Sequence, residues 1–86
     1  MSLNKKAGLL LAGTGALHFA APRLFEPISR VAFPEDTRRW IYTNGATELA
    51  LGLAVAGART RRAGLAGVAA YTAWLGARAV RRRGAA

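Results

Sequence analysis

Apolar residues gather in three stretches, Ala7 to Ala21, Trp40 to Ala58 and Ala63 to about Val80. Each is apolar nearly all round rather than along one stripe, the pattern of a helix surrounded by protein or lipid on every side. A spanning helix needs about 20 residues, with a lower limit near 17. The second stretch has that length. The first reaches it by taking in Leu3 and Leu24 while its lysines snorkel outward, and the third reaches it when Arg78 snorkels at its end. The expected architecture is therefore all-α: a membrane helical bundle of three short transmembrane helices, over about residues 5–21, 40–58 and 63–80. Helices buried in a soluble bundle are the alternative.

The segment 23–39 has a different pattern. Leu24, Phe25, Ile28, Val31 and Ala32 fall on one helical face, with Glu26, Ser29 and Arg30 on the other. This predicts a short interfacial amphipathic helix between the first and second long helices. Phe33-Pro34 breaks it, and Pro34-Glu35-Asp36 reads as the acidic first turn of the next helix. Phe25, Trp40, Tyr42 and Trp74 are placed as interfacial anchors. Small residues recur every fourth position, at Gly8, Ala12, Ala16 and Ala20, at Ala46, Ala50, Ala54 and Ala58, and at Ala69, Ala73 and Ala77. Such stripes predict close helix packing.

Composition sharpens the picture. The chain has 86 residues, enough for a single domain, 1–86. Thirteen Lys and Arg against four Asp and Glu give a net charge of +9. The basic residues sit at the ends of the apolar stretches, at Lys5-Lys6, Arg38-Arg39, Arg59 to Arg62 and Arg81 to Arg83. A nucleic-acid binder usually lines one face with charge, so this segregation excludes nucleic acid as a partner. It fits no clean three-span orientation. The chain has no cysteine, which excludes disulfides and thiol chemistry, and one His with four carboxylates argues against a self-contained metal site. Lys5-Lys6 before an apolar run resembles a signal peptide, but a retained anchor-like first helix is the expected state. Richness in Ala, Gly and Arg suggests a bacterial source, and the expected location is the bacterial plasma membrane, multi-pass.

The polar residues inside the apolar stretches are the candidate site. At about 1.5 Å rise per residue, His18 and Asn44 fall at one depth, and Thr14 and Glu48 one turn deeper. Asn44 and Glu48 are i, i+4 on one face. Tyr71 reaches the layer of Glu48, with Arg78 nearer the surface. The expected cluster is His18, Asn44, Glu48, Tyr71 and Arg78. It reads either as a buried hydrogen-bond network that fixes helix register, or as a polar pocket for a quinone head group or a proton step. No catalytic residue and no nucleotide motif accompany it.

Residues 15–28, from Gly15 through His18-Phe19 and Pro22 to Ile28, resemble the start of DoxX-like membrane proteins. Residues 40–49, with Gly45, Glu48 and Leu49, are similar to the second helix of that family, and the turn 59–62 to its basic turn. The resemblance covers residues 8 to 75. Such proteins usually have four helices, so it implies a four-helix-like bundle whose missing helix comes from a partner. Some relatives are subunits of quinone-linked or redox complexes. The expected function is thus a non-catalytic accessory or structural subunit of a larger membrane complex, respiratory or otherwise redox-linked, or a homo-oligomer in the lipid bilayer. Its alternatives are a quinone-binding oxidoreductase component using His18 and Glu48, and a small multidrug-type transporter. No cofactor is expected in the chain itself, quinone being the one candidate.

Overall fold

The computed structural model describes residues 2–85. Helix α1 spans Leu3–Ala20, and Pro22–Phe25 forms a 3-10 turn. Helix α2 spans Glu26–Ala32, α3 Thr37–Ala56 and α4 Arg61–Ala85. Ser2 caps α1 by accepting from the Lys5 amide at 3.1 Å. Pro22 ends that helix and opens the tighter turn. Asp36 closes the break before α3 in the left-handed region, φ 53°, which Asp tolerates better than most residues. Because α3 begins at Thr37, Pro34, Glu35 and Asp36 precede it, and its first turn holds no acidic residue.

The turn between α3 and α4 shows why it is basic. Arg61 donates through Nε to the Val55 carbonyl (2.9 Å) and through Nη2 to that of Ala56 (3.3 Å). A cation thereby satisfies carbonyls that have no intrahelical partner, at the negative end of the helix dipole. Thr60 donates to the Ala54 carbonyl at 2.7 Å.

Helices α1, α3 and α4 form a row with α3 in the middle. Among the described residues α1 and α4 do not reach one another, and α2 lies over α3 and α4. The α1–α3 contact is backbone on backbone. An added Cβ at Gly15 would stand 2.4 Å from the Leu49 nitrogen, and one at Gly52 2.3 Å from that of Ala12. Glycine is needed there because the two backbones approach too closely for a side chain. The buried edge of α1 is Gly8, Ala12, Gly15 and His18, and that of α3 includes Asn44, Gly45 and Gly52. The four-residue stripes make the contact only in part: Gly8 and Ala12 are buried against α3 and Ala54 meets Gly64, while Ala16, Ala20, Ala46, Ala50, Ala58, Ala69 and Ala73 are exposed.

The expectation of a membrane bundle is corrected. No described helix is long and apolar enough to cross a membrane. Each helix is longer than its apolar part. Helix α1 opens with Asn4, Lys5 and Lys6 and carries His18, α3 carries Arg38, Arg39, Asn44 and Glu48, and α4 is basic at both ends. Much of the remainder is Ala and Gly, which add little hydropathy. Extending the first and third runs by snorkelling adds length without adding apolar residues. The three transmembrane helices, the interfacial helix of residues 23–39 defined by them, and the multi-pass plasma-membrane location are not supported. Residues 23–39 hold most of the 3-10 turn, the seven-residue α2, a break and the first three residues of α3, with α2 packed on α3 and α4.

Candidate functional site

Four elements converge on one cavity of about 230 Å³. Thr14 and His18 enter from α1, Ser29 from α2, Asn44 and Glu48 from α3 and Tyr71 from α4. Phe25, Phe33 and Leu75 supply apolar walls, and Ile28, largely exposed, stands at the rim. At about 30 Å³ per water, the space equals roughly eight waters, the size of one substituted ring.

His18 is 5% exposed and is held on two sides. Its ring stacks on Phe25, with centroids 3.7 Å apart and an 18° interplanar angle. Its Nδ1 lies 2.8 Å from the Thr14 carbonyl oxygen. A carbonyl only accepts, so Nδ1 carries the proton of that bond. In the neutral ring Nε2 is then a bare acceptor. It lies 3.8 Å from Glu48 Oε2, beyond hydrogen-bond range.

Tyr71 donates from its hydroxyl to Glu48 Oε2 at 2.7 Å. Burial, and then the hydrogen bond to Glu48, push the Tyr71 phenol well above its ordinary value. The hydroxyl therefore remains a donor across the neutral range. Asn44 is 6% exposed and makes no side-chain hydrogen bond among the described residues. Among the described residues no side-chain nitrogen or oxygen is both fully buried and without a partner, so the Asn44 amide is not sealed from solvent. Asn44 and His18 Nε2 thus turn unused hydrogen-bonding capacity toward the same cavity.

The structure brings His18, Asn44, Glu48 and Tyr71 together and leaves Arg78 outside. Arg78 Nε donates to the Ala32 carbonyl at 2.9 Å. Its guanidinium lies 4.5 Å from the Phe33 ring centre and 4.9 Å from that of Trp40. Trp74 completes this aromatic group, 5.8 Å from Trp40. Arg78 therefore caps the C-terminal end of α2 and pins it to α4. Of the residues placed as interfacial anchors, Phe25 supports His18, Trp40 and Trp74 hold Arg78 and Phe33, and Tyr42 stacks on Phe19 at 5.5 Å.

A second polar group stands apart. Glu26 accepts from Arg30 (2.9 Å) and from Arg38, tying the start of α2 to the start of α3. The Arg38 hydrogen bond, ahead of the charges of Arg38, Arg30 and Arg23, holds the Glu26 carboxyl below its ordinary range. It also raises Arg38.

Sequence reasoning placed Thr14 near the site without counting it, and missed Ser29, Phe33 and Leu75 as walls. The His18–Phe25 spacing, one and a half to two helical turns around Pro22, was the available signal for the stack. Among the described residues no group of three or more His, Cys, Asp or Glu is placed to hold a metal.

No curated protein and no solved structure matches the chain. A family model described as a domain of unknown function, DUF8561, matches residues 7–83, and the chain belongs to that family.

Proposed function

We propose that the chain is a non-catalytic accessory protein that holds one small, hydroxylated, single-ring molecule in the cavity between its helices. The observation that carries this reading is the pairing of unused hydrogen-bonding groups with an aromatic wall: His18 Nε2, Asn44 and the Glu48 carboxylate face a space walled by Phe25 and Phe33. The acceptors select the ligand. Nδ1 of His18 and the Tyr71 hydroxyl spend their protons inside the protein, so in the neutral ring Nε2, together with the Glu48 carboxylate, presents lone pairs. A ring hydroxyl, as in a phenol or a hydroquinone, donates to them. A quinone carbonyl has only the Asn44 amide to accept from. The resemblance of residues 15–28 and 40–49 to DoxX-like proteins, some of them subunits of quinone-linked complexes, points to the same ring class.

A ligand of about eight heavy atoms at about −0.5 kcal/mol per atom binds with about −4 kcal/mol, a Kd near 1 mM for the bare ring. The test is titration with hydroquinone and, separately, with its dimethyl ether. His18 is the single histidine, so its imidazole proton resonance reads the site directly. Hydroquinone should shift that resonance saturably, the ether should not, and Glu48→Gln should weaken the effect. An unchanged His18 resonance up to the solubility limit of hydroquinone would sink the reading.

A further inference from the structure

Glu48 is the carboxylate that the fold turns into the cavity, with its side chain 13% exposed. A carboxylate so far from water is normally paired with a cation. Among the described residues the basic group within ion-pair distance is His18, 3.8 Å away, and its neutral ring brings no charge. The chain does not lack cations, having thirteen Lys and Arg for four carboxylates. Arg30 and Arg38 are spent on Glu26 at the start of α2. Arg78, two turns beyond Tyr71 on α4, is turned away to the Ala32 carbonyl and the Phe33 ring. The titratable groups facing the cavity are thus His18 from α1, Glu48 from α3 and Tyr71 from α4, and the Tyr71 hydroxyl keeps its proton. With a neutral imidazole, the Glu48 carboxylate has no opposing positive charge in the cavity.

Proton counting points the same way. Among the described residues Glu48 accepts one side-chain hydrogen bond, from Tyr71 to Oε2. Its Oε1 is untouched and His18 Nε2 is bare. A lone hydroxyl has one proton and satisfies one of the two. A ligand with an ammonium beside its hydroxyl satisfies both. The 3.8 Å between Nε2 and the carboxylate suits two donors carried on neighbouring carbons.

We infer that the ligand of this cavity carries a protonated aliphatic amine beside its hydroxyl, the ammonium resting against Glu48 and the hydroxyl against His18. This rests on the reading of the cavity as a site for a hydroxylated ring, and adds the charge of that ligand. The net charge of +9 repels small cations from the chain as a whole. An ammonium that binds saturably is therefore held by a local carboxylate. Glu26 is already bonded to two arginines, which leaves Glu48 as the inward-facing carboxylate free to do so.

Phenylethanolamine and phenylethylene glycol test this on the full chain. Each has one ring and one benzylic hydroxyl, and the glycol has a second hydroxyl where the other has an ammonium. Both are titrated against the His18 imidazole resonance, at a pH where that resonance reports the neutral ring. The amine should bind about tenfold tighter than the glycol, because a charge-assisted hydrogen bond is roughly twice as strong as a neutral one. Glu48→Gln keeps an acceptor oxygen and the shape of the side chain but loses the charge, so there the two ligands should bind within about twofold of each other. Should the variant fail to fold, the comparison in the parent chain decides by itself. An amine that binds no tighter than the glycol overturns the inference and leaves the cavity as a site for a neutral hydroxylated ring. A preference for the amine that persists in folded Glu48→Gln overturns it too. If neither of these ligands nor hydroquinone moves the resonance, the cavity is no ligand site and the inference falls with it.

Discussion

Two glycines of α1, two residues apart, should respond in opposite directions to the same substitution. At Gly13 an added methyl meets nothing within 4 Å. There Gly13→Ala gains only the backbone entropy of a better helix former, about 1 kcal/mol. At Gly15 the same methyl stands 2.4 Å from the Leu49 nitrogen, 2.5 Å from the Gly45 oxygen and 3.0 Å from the Glu48 carbonyl carbon. All three are backbone atoms of α3, so no side chain can swing aside. The helices must part by about 1 Å to restore ordinary contact near 3.5 Å. Overpacking of this kind costs about 1–3 kcal/mol and sometimes more, and a rigid backbone neighbour places Gly15→Ala at the upper end. Less the propensity gain, the net loss is about 2 kcal/mol. For a domain of this size 1 kcal/mol moves Tm by roughly 4–8 °C. Gly13→Ala should therefore melt about 4–8 °C higher than the parent and Gly15→Ala about 8–16 °C lower, followed by far-ultraviolet circular dichroism. Two shifts of the same sign would refute the close backbone approach of α1 and α3.

Other parts of the structure give separate tests. Tyr71→Phe removes the donor to Glu48 and should cost about 1.5 kcal/mol in urea unfolding, the low end for a bond to a charged group because the pair is only part-buried. Tyr71 has its folded pKa raised, so its contribution is complete below the unfolded value near 10 and is lost as pH rises beyond it. Melts between pH 8 and 11 should decline in the parent more steeply than in Tyr71→Phe. Glu26 runs the other way: its folded pKa is lowered, so its ion pairs are fully present above its ordinary 4.5 and are lost as pH falls below that. Glu26→Gln should flatten the acid limb of the stability profile. Arg78→Lys keeps the charge but loses the planar group that faces Phe33 and Trp40 while bonding Ala32. It should lower stability by about 1–2 kcal/mol and change the fluorescence of Trp40 and Trp74, and an unaltered emission spectrum would count against the packing described.

The sequence by itself determined where helices run. Apolar runs, proline breaks at Pro22 and Pro34 and the basic turn before Arg61 are local signals, and local signals set helix limits to within a few residues. It also determined that His18 and Asn44 share a depth, with Thr14 and Glu48 one turn further along, because rise per residue is a constant of the helix. Tertiary structure alone decided which faces meet. The every-fourth-residue stripes were the regular feature, yet only Gly8 and Ala12 of the first enter the α1–α3 contact, which is completed by Gly15, Gly45 and Gly52, because approach distance is set where the backbone has no side chain at all. Arg78 illustrates the same limit. Its spacing from Tyr71 put it on the side of the cluster, but the end of α2 and the break after it offered it the Ala32 carbonyl and the rings of Phe33 and Trp40. The relation between length and hydropathy was open to misreading for a related reason. A helix's length follows from backbone hydrogen bonding, whereas crossing a bilayer requires apolar side chains along nearly all of it, and here the polar positions that interrupt each run are the ones the fold gathers around the cavity or spends on its caps.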